Sequence, residues 1–571
     1  MIDIEKSIKA KAPKIEQLPS VVRKSIINIL KKILHEKEIN AFLKEHKGEG
    51  AFAFVESILD YFSFGYKVAH NELENIPSSG KVIIIANHPL GALDALSLID
   101  MVSKIRKDIK VVANDVLSSI EPLAPILIKV DAFGGRITKE SIKEINSSLN
   151  EEKVVIFFPS GEVSRLRVDG IKDGRWNKGF LNFATKNRAP VLPVYIKSKN
   201  SLLFYIVSWI NKAFSALLLP NEMFKKRDKS LEFKIGKIIP YKSFSDTKID
   251  TKTKVKLFKR HLYRVAKGKK GIFTTQKCIA HPEDRQLLRD ELKECKVLGK
   301  TKDGKIIYLY EYQKESFLLR EIGRLREQTF RKVEEGTGKK RDTDEFDRYY
   351  KHIILWDEEV LEIVGSYRIA ESDFVFEHFG AKGFYSNTLF EFEPDFHNYL
   401  HNSIELGRSF VQPRYWGSRA LDYLWQGIGA YLYRNSHIKY MFGPVSISGG
   451  MPKGAQNLIV YYYKKYYGKK DSTFIKPKDP FIISHNETEE LEKIFNGVDV
   501  LGGYRLLKEH LSCYGVLVPT LYKHYTELCE EGGVYFLDFN IDRLFDNCVD
   551  GFIVVETDKI KQKKRDRYIK G

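Results

Sequence analysis

A histidine and an aspartate lie six residues apart where an apolar strand gives way to a turn. The run KVIIIA ends at Ala86, and Asn87-His88-Pro89-Leu90-Gly91-Ala92-Leu93-Asp94 follows it. At the carboxyl end of a strand, where the sites of α/β folds gather, an imidazole can take a proton from an attacking hydroxyl group. An aspartate in the first turn of the next helix can hold the imidazole in the required tautomer. We therefore predict His88 as a general base oriented by Asp94, although such a pair taken alone is more often structural.

Three further blocks follow this pair in order along the chain. They are VDAFGGR at 130–136, FFPSGEVSR at 157–165 with the step Lys178-Gly179 after it, and APVLPV at 189–194. Together with NHPLGALD, they resemble the four blocks of the glycerophosphate and lysophosphatidate acyltransferase family, over roughly residues 75–240. The resemblance implies O-acyl transfer, in which His88 deprotonates an acceptor hydroxyl that attacks an acyl thioester. No metal ion and no bound cofactor are expected.

The blocks depart from the family pattern in two places. Five residues separate His88 from Asp94 where the family has four. One extra residue turns a helical side chain by about 100°, so the turn Pro89–Gly91 must absorb it. The form NHPxGxxD resembles the branch of the family that acylates lyso-aminolipids. In the third block, Ser160 stands where the family has Glu, and Glu162 is a candidate for the missing carboxylate.

The third block also supplies the candidate substrate contacts of this half, which are Gly161, Glu162, Arg165 and Lys178. The resemblance implies that Arg165 and Lys178 contact an anionic acceptor. An acceptor without a glycerol phosphate needs them less, and an ordinary surface cation is an equal alternative for each. Backbone donors near Gly161 or the side chain of Arg136 are candidates to stabilise the oxyanion.

The second half carries a different ordered set of charged residues. They are Arg326 on a predicted helix, Asp342, Asp344 and Asp347 in RDTDEFD, and Arg368, Glu405 and Arg408 on later segments. With YMFGPVSIS at 440–448, this order resembles the GNAT (Gcn5-related) N-acyltransferase superfamily, and more closely its hemolysin-like branch with the ornithine N-acyltransferases. The resemblance covers roughly residues 300–550. It implies transfer of an acyl group to an amine.

An amine must be neutral to attack a thioester, so a carboxylate that accepts its proton is useful. We predict Glu405, on a strand next to a turn at Gly407-Arg408, as this base; a structural bridge to an arginine is an equal alternative. The three arginines of the set (Arg326, Arg368 and Arg408) are candidates to guide the donor's phosphopantetheine or the acceptor carboxylate. Asp342, Asp344 and Asp347 either face the acceptor's ammonium group or solvate a loop.

A candidate donor-binding loop precedes a predicted helix. Arg414-x2-Gly417 resembles a shortened form of the superfamily's pyrophosphate loop, in which N–H groups at a helix N-terminus bind the donor's phosphate. Arg419 occupies the last Gly/Ala position of the full motif. This departure disfavours coenzyme A and favours an acyl carrier protein as the donor and partner.

The patterning of the chain predicts two α/β domains. Apolar runs that alternate with helical stretches predict a glycerolipid-acyltransferase-like domain at 75–270, behind a helical, membrane-proximal extension at 1–74. A basic, aperiodic stretch at 271–290 predicts a linker, and a mixed α/β GNAT-like domain follows at 291–571. The whole net charge of +19 lies in the first part, where residues 1–270 hold 49 Lys and Arg against 29 Asp and Glu. Such a basic half is expected to meet an anionic surface.

One stretch bears on membranes. Residues 202–219 are mostly apolar but carry Asn211 and Lys212 near their middle, and a central lysine in a spanning helix costs about 2.5–3.5 kcal/mol. We favour a helix lying in the membrane interface, with a core helix and a true span as alternatives.

The polar start of the chain and its five scattered cysteines favour a cytoplasmic location on the inner face of the membrane. YYYKKYYGKK at 461–470 lacks an accompanying nucleic-acid-binding motif, so nucleic acid is not expected as a partner.

The two halves together predict a bifunctional acyltransferase that makes an amino-acid lipid of the ornithine-lipid type. The C-terminal domain would attach a 3-hydroxyacyl group from acyl carrier protein to the α-amine of the amino acid. The N-terminal domain would then acylate the hydroxyl group of this lyso-lipid. The amino acid stays open between ornithine, glycine, serine and lysine. The alternatives are a glycerolipid acyltransferase with an inactive or regulatory C-terminal domain, a non-catalytic membrane-associated scaffold, and homoserine lactone synthesis.

Overall fold

The computed structural model describes residues 19–114, 120–130, 138–168, 170–210, 215, 218–333, 335–469 and 473–569. The chain divides into two compact units, Met1–Ala280 and His281–Gly571. Each unit is α/β and is built around its own sheet, with seven strands in the first and eight in the second among the described residues. The predicted fold class is therefore confirmed.

The first unit alternates strands and helices for most of its length. Its elements are α1 (Ser20–Ile33), α2 (Glu36–Glu45), α3 (Ala51–Tyr61), β1 (Gly65–Lys67), α4 (His70–Leu73), β2 (Val82–Ala86), α5 (Ala92–Ser103), β3 (Ile109–Asn114), a 3-10 turn (Glu121–Ile126), β4 (Leu127–Val130), α6 (Lys139–Asn150), β5 (Val154–Phe157), β6 (Arg165–Arg167), β7 (Gly170–Lys172), α7 (Gly179–Lys186), β8 (Val191–Lys197), α8 (Leu202–Ile210), α9 (Leu219–Phe224), β9 (Ser230–Ile235), a second 3-10 turn (Tyr241–Ser243) and α10 (Thr251–Val265).

The central strands of this unit are parallel and buried on both faces. The strand order is β1-β9-β8-β2-β5-β3-β4, and β2 pairs in parallel with β5 on one side and β8 on the other. Their sequences, VIIIA in β2 and VVIF in β5, are fully buried, as expected when apolar layers cover both faces of a parallel sheet. The carboxyl ends of β2, β5 and β8 therefore meet at one edge, directly before the first and third sequence blocks.

The predicted helical extension at 1–74 differs from the structure in one respect. The helices α1 to α3 are present, but β1 follows them and pairs in parallel with β9 at the edge of the sheet. Helix α3 buries Phe54, Val55 and Leu59 in the main core of the unit. The described end of this segment thus belongs to the fold of the first unit, because its aromatic and aliphatic side chains complete that core.

The second unit begins with a helix. Its elements are α11 (Arg285–Leu292), β10 (Lys296–Lys300), β11 (Ile306–Tyr310), α12 (Phe317–Lys332), a 3-10 turn (Glu345–Arg348), β12 (Lys351–Asp357), β13 (Glu362–Glu371), α13 (Ser372–Phe379), 3-10 turns at Ala381–Gly383 and Ser386–Thr388, β14 (Phe390–Phe392), a 3-10 turn (Pro394–Phe396), α14 (His397–Leu400), β15 (Ser403–Val411), a 3-10 turn (Pro413–Tyr415), α15 (Ala420–Arg434), β16 (Tyr440–Ile447), α16 (Lys453–Tyr467), β17 (Ile475–Pro477), α17 (His485–Ile494), α18 (Val500–Cys513), α19 (Thr520–Thr526), β18 (Val534–Asp542), β19 (Cys548–Glu556), a 3-10 turn (Thr557–Lys559) and α20 (Gln562–Tyr568).

Helix α11 begins inside the stretch 271–290 that the sequence predicts to be a linker. Asp284 accepts hydrogen bonds from the N–H groups of Gln286 and Leu287 and so caps the helix. Leu288 and Leu292 then pack into an apolar cluster of the second unit. The capping aspartate and the two leucines, four residues apart, are the sequence signal that the basic, aperiodic part of this stretch obscures.

The large sheet of the second unit separates at its middle. Its order is β10-β11-β12-β13-β15-β16-β19-β18, and β15 and β16 are its parallel neighbours. They pair only from Ser403 to Glu405 on one side and from Tyr440 to Phe442 on the other. At Gly443 the backbone has φ +156°, and a Cβ atom there would lie 2.1 Å from a carbonyl oxygen of β15. Beyond this point β15 stays with β13 while β16 stays with β19, so the two strands part.

Candidate active sites and family

The imidazole of His88 lies against the carboxylate of Asp94. Nδ1 of the histidine is 3.1 Å from Oδ1 of the aspartate, and the aspartate side chain is completely buried. The other carboxylate oxygen accepts hydrogen bonds from the N–H groups of Leu90 (2.8 Å) and Gly91 (3.3 Å). Gly91 has φ +101°, a conformation that favours glycine, and helix α5 begins at the next residue. The turn thus takes up the extra residue between the histidine and the aspartate.

Charge and burial act in opposite directions on His88. Burial is the largest single effect and disfavours the imidazolium form. The charge and hydrogen bonding of Asp94, together with the charge of Asp173, outweigh it, so the pKa of His88 is raised above its ordinary value. The centroid of the ring lies 4.4 Å from that of Phe158, which follows β5, and the two rings are tilted by 39°. The pair therefore has the geometry of a base whose protonated form is stabilised by a carboxylate.

A second carboxylate, that of Asp173, binds the backbone of His88 and was not predicted from the sequence. Asp173 accepts hydrogen bonds from the N–H group of His88 (3.2 Å), the hydroxyl group of Ser164 (2.6 Å) and the indole N–H group of Trp176 (2.9 Å). Burial raises the pKa of Asp173. The residue follows the third block in the run KDGRWNKG, and the nearby Trp176 is the only sequence signal for its role.

The third block follows β5 at the same edge of the sheet as His88. The N–H group of Ser164 donates a hydrogen bond of 2.7 Å to the carbonyl oxygen of His88. The N–H group of Gly161 donates to the carbonyl oxygen of Phe158 (3.0 Å) and so closes a turn. This N–H group is therefore engaged within the turn, and stabilisation of the oxyanion by backbone donors near Gly161 stays a prediction. The other candidate for that role, Arg136, lies outside the described residues, as does most of its block.

Arg165 is held within the protein. Its guanidinium group donates to the hydroxyl groups of Ser208 on α8 and Ser215, and it lies 3.3 Å from the Glu162 carboxylate. These partners fix the third block to α8, and the predicted contact between Arg165 and an anionic acceptor stays a prediction. Lys178 is exposed at the start of α7, and its role as an acceptor contact stays a prediction.

In the second unit, the carboxylate of Glu405 is surrounded by donors. It accepts hydrogen bonds from the hydroxyl groups of Tyr350 and Ser386 and from the N–H groups of Ser386 (2.6 Å) and Tyr385 (3.2 Å). Glu405 is 1% exposed, and burial raises its pKa. Four donors leave this carboxylate little capacity to receive a proton from a substrate. The geometry favours a structural role for Glu405, with the tyrosine and serine as partners instead of the expected arginine.

The predicted turn at Gly407-Arg408 is a bulge within β15. The register between β13 and β15 shifts between Ser366 and Arg368, and Arg408 has φ +48°. An irregular residue of this kind re-aims the following side chain. The guanidinium group of Arg408 packs 4.7 Å from the ring centroid of Tyr385.

The sequence-predicted arginines and aspartates form one buried cluster. Arg326 lies 2.7 Å from Asp347, and Arg368 lies 2.6 Å from Asp344 and 3.1 Å from Asp347. Arg408 is more loosely placed, with 3.5 Å to Asp342 and 3.8 Å to Asp344.

These contacts shift the pKa values of the aspartates and leave some guanidinium N–H groups without a hydrogen-bond partner. Burial opposes ionisation of Asp344 and Asp347, but the neighbouring arginines hold the pKa of Asp344 below its ordinary value and the pKa of Asp347 well below it. Within the described part of the chain, Nε and Nη2 of Arg368, Nε and Nη1 of Arg326, and Nε of Arg408 have no hydrogen-bond partner. Buried guanidinium groups with spare donors are suited to bind a carboxylate or a phosphate.

The candidate donor loop is more exposed. The guanidinium group of Arg414 lies 2.9 Å from the Glu362 carboxylate, and Gly417 has φ +79° just before α15. Its role in phosphate binding stays a prediction.

Two buried acidic residues of the second unit, Asp550 and Glu335, were not predicted from the sequence. Asp550 on β19 is 2% exposed and accepts a hydrogen bond of 2.6 Å from the hydroxyl group of Ser446 on β16. Burial raises the pKa of Asp550 to about 7. Glu335 is also affected, since burial raises its pKa to about 8 and the charge of Asp550 adds to the shift. Nothing in the local sequence marks either residue.

Helix α8 presents an apolar face to solvent. Its exposed side chains are Leu202, Leu203, Ile206, Trp209 and Ile210, with Trp209 83% exposed. Phe204, Tyr205 and Ser208 face inward. Among the described residues, no helix is long and apolar enough to cross a membrane. The same residues contain no group of three or more His, Cys, Asp or Glu placed to hold a metal ion.

Two family models match the chain. An acyltransferase model matches residues 8–266, and an acetyltransferase (GNAT) domain model matches residues 325–426. The crystal structure of the lysophosphatidate acyltransferase PlsC from Thermotoga maritima aligns with 42% of this chain and 95% of that chain, at 17% identity and a TM-score of 0.27.

Curated relatives match the chain at higher identity. The lyso-glycine lipid O-acyltransferase of Phocaeicola vulgatus is 33% identical over 43% of this chain and 89% of its own length. The glycine N(alpha)-acyltransferase of Bacteroides thetaiotaomicron is 33% identical over 51% of this chain and 89% of its own length. The L-ornithine N(alpha)-acyltransferase of Brucella abortus is 34% identical over 22% of this chain and 44% of its own length. The chain therefore belongs to the family of these acyltransferases, and it is an enzyme with an O-acyltransferase domain followed by a GNAT-type N-acyltransferase domain.

Proposed function

We propose that this chain makes a diacylated amino-acid lipid in two consecutive steps. The C-terminal domain transfers a 3-hydroxyacyl group to the α-amine of an amino acid. The N-terminal domain then transfers a second acyl group to the hydroxyl group of that product, with His88 as the general base and Asp94 as its partner. The observation that carries the proposal is the presence, in one chain, of domains similar to a lyso-lipid O-acyltransferase and to an amino-acid N-acyltransferase.

The order of the steps follows from their chemistry. The O-acyl step needs a hydroxyl acceptor, and the 3-hydroxyl of the first acyl chain provides one. Fusion of the two domains keeps the poorly soluble intermediate at a high effective concentration near the second site.

The acceptor in this proposal is glycine, with ornithine as the alternative. The glycine N(alpha)-acyltransferase of Bacteroides thetaiotaomicron is 33% identical over 89% of its own length. The ornithine relative from Brucella abortus aligns over 44% of its length, and the one from Rhodobacter capsulatus is 26% identical over 79% of its length. The amino acid's carboxylate would be bound by the spare guanidinium donors of Arg368 and Arg408.

We propose acyl carrier protein as the acyl donor and the surface of an anionic membrane as the site of action. The donor proposal rests on Arg419, which occupies a glycine or alanine position of the superfamily's pyrophosphate loop. The membrane proposal rests on the exposed apolar face of α8, because a helix that lies in the membrane interface can bury such a face among lipid headgroups. The surplus of lysine and arginine in the same unit adds attraction to anionic lipid, about 1 kcal/mol per surface cation.

The test is product analysis with the purified full-length chain. A 3-hydroxyacyl thioester of acyl carrier protein is offered with glycine, serine, ornithine or lysine, and the products are identified by mass spectrometry. We expect N-acylation of one amino acid, with glycine first, and a second acyl group once a further thioester is added. Acylation of lysophosphatidate without acylation of any amino acid would instead show a glycerolipid acyltransferase.

A further inference from the structure

The carboxylate of Asp550 lies on the face of the second sheet that carries the charged cluster. Asp550 is the direct register partner of Ser446, four residues along β16 from Phe442. Phe442 and Phe552 stack in the same aromatic cluster as Tyr350, whose hydroxyl group contacts Glu405. Because side chains alternate along a strand, Ser446 and Asp550 point to the same side of the sheet as Glu405. They lie beyond Gly443, where β16 has already parted from β15.

Charged and titratable groups reach Asp550 from each neighbouring element. They are Asp542 at the end of β18, Arg408 on β15, Glu335 after α12, Tyr385 after α13, Tyr522 on α19 and Cys548 on β19 itself. Asp542 disfavours ionisation of Asp550, and Arg408 favours it. The thiol sulfur of Cys548 lies 3.9 Å from the Asp550 carboxylate.

Asp550 and Glu405 differ in their capacity to accept a proton. Glu405 accepts four hydrogen bonds, whereas the oxygen and nitrogen donors of the described residues give Asp550 a single bond, from Ser446. A carboxylate with a pKa of about 7 is half ionised near neutral pH, which suits a general base. On the same face of the sheet, Arg368 is 1% exposed and pairs with Asp344 and Asp347 through Nη1, while its Nε and Nη2 have no hydrogen-bond partner among the described residues.

We propose that Asp550 accepts the proton of the α-ammonium group of the amino acid, while Arg368 and Arg408 hold its carboxylate. This assignment rests on the proposed function. In the reaction, the ammonium group gives a proton to Asp550, and the neutral amine attacks the thioester carbonyl carbon. The new C–N bond forms and the C–S bond breaks. The amine's second proton goes to the leaving thiolate, and Asp550 releases its proton to solvent, so the products are an amide, a thiol and one proton.

The test is the pH dependence of N-acyl transfer by the full-length chain. We expect Asp550→Asn to lower kcat/KM for the amino acid by about 100-fold or more. The wild-type rate should rise with pH through about 7 as Asp550 loses its proton, and this limb should vanish in Asp550→Asn. The matched control is Asp538→Asn on the neighbouring strand β18, a half-buried carboxylate that pairs with Lys464 and should leave rate and profile unchanged.

A second variant keeps the proposal testable if Asp550→Asn does not fold. Ser446→Ala removes the hydroxyl group that stabilises the ionised carboxylate, so the pKa of Asp550 should rise and the limb should move to higher pH. An unmoved limb in Ser446→Ala, or an Asp550→Asn enzyme with its limb intact, overturns the assignment. If the wild-type chain N-acylates no amino acid while its O-acyl transfer is intact, the proposed function itself fails.

Discussion

The N–H group of Ser164 donates a hydrogen bond of 2.7 Å to the carbonyl oxygen of His88. This bond joins the first and third sequence blocks, which follow the neighbouring parallel strands β2 and β5. Asp173 reinforces the junction, since its carboxylate binds the N–H group of His88 and the hydroxyl group of Ser164. His88 is thus fixed on both sides by backbone contacts, in addition to the contact of its ring with Asp94.

Replacement of Asp94 by Asn should change the pH profile of O-acyl transfer as well as its rate. The base must be neutral to act, and the negative charge of Asp94 raises the pKa of His88. In Asp94→Asn the pKa should fall, so the acid limb of the profile should move to lower pH while kcat drops by about 100-fold or more. The profile is measured with a lyso-lipid acceptor. A uniform loss of rate with an unmoved limb would speak against an electrostatic role for Asp94.

Replacement of Asp173 by Asn should destabilise the first unit. The carboxylate accepts three hydrogen bonds, and an amide cannot accept all of them, so one buried donor loses its partner. We expect a loss of about 1–3 kcal/mol in the free energy of unfolding, measured in urea. Asp246→Asn, in an exposed loop, is the control and should stay within about 0.5 kcal/mol of wild type. Equal stability of the two variants would show that the hydrogen bonds of Asp173 do not stabilise the first unit.

Replacement of Glu405 by Gln separates positioning from proton transfer in the N-acyl site. The buried carboxylate holds Tyr350, Tyr385 and Ser386 by hydrogen bonds, so its loss should lower both the free energy of unfolding and the rate. The acid limb of the rate profile should nevertheless stay in place, because the proposed base is Asp550. Glu393→Gln, whose carboxylate pairs with Lys476 at the surface, serves as control. If the acid limb of the pH profile disappears in Glu405→Gln, Glu405 and not Asp550 is the general base.

Membrane association can be tested on the apolar face of α8. Ile210 and Leu517 are almost equally exposed, at 82% and 84%, but only Ile210 lies on that face. We expect Ile210→Ser to weaken sedimentation with anionic vesicles severalfold and Leu517→Ser to leave it unchanged, because an interfacial helix binds through its buried apolar area. Equal binding of both variants and wild type would exclude this face as the lipid contact.

The sequence predicts those contacts that are made between residues close to each other along the chain. His88 and Asp94 are separated by one turn, and the buried runs VIIIA and VVIF predict adjacent parallel strands, so their meeting follows from short-range pattern. Asp173 contacts His88 across 85 residues, and Asp550 contacts Ser446 across 104. The contact of Asp173 depends on the path of the segment after the third block, and the contact of Asp550 depends on the pairing of β16 with β19. Neither can be read from the spacing of residues along the chain. Glu405 was found, but its four donors come from segments whose approach only the fold reveals.

Both proposed acylations, carried out in sequence by one chain, can be tested in a host that lacks aminolipids. The host expresses wild type, His88→Ala or the control His70→Ala, an exposed histidine in α4, and its lipids are analysed. We expect a diacylated aminolipid from wild type and His70→Ala, and accumulation of the monoacyl lyso-form from His88→Ala. A diacylated aminolipid at wild-type levels from His88→Ala, or no aminolipid from wild type together with a rise in phosphatidate, would refute the two-step proposal.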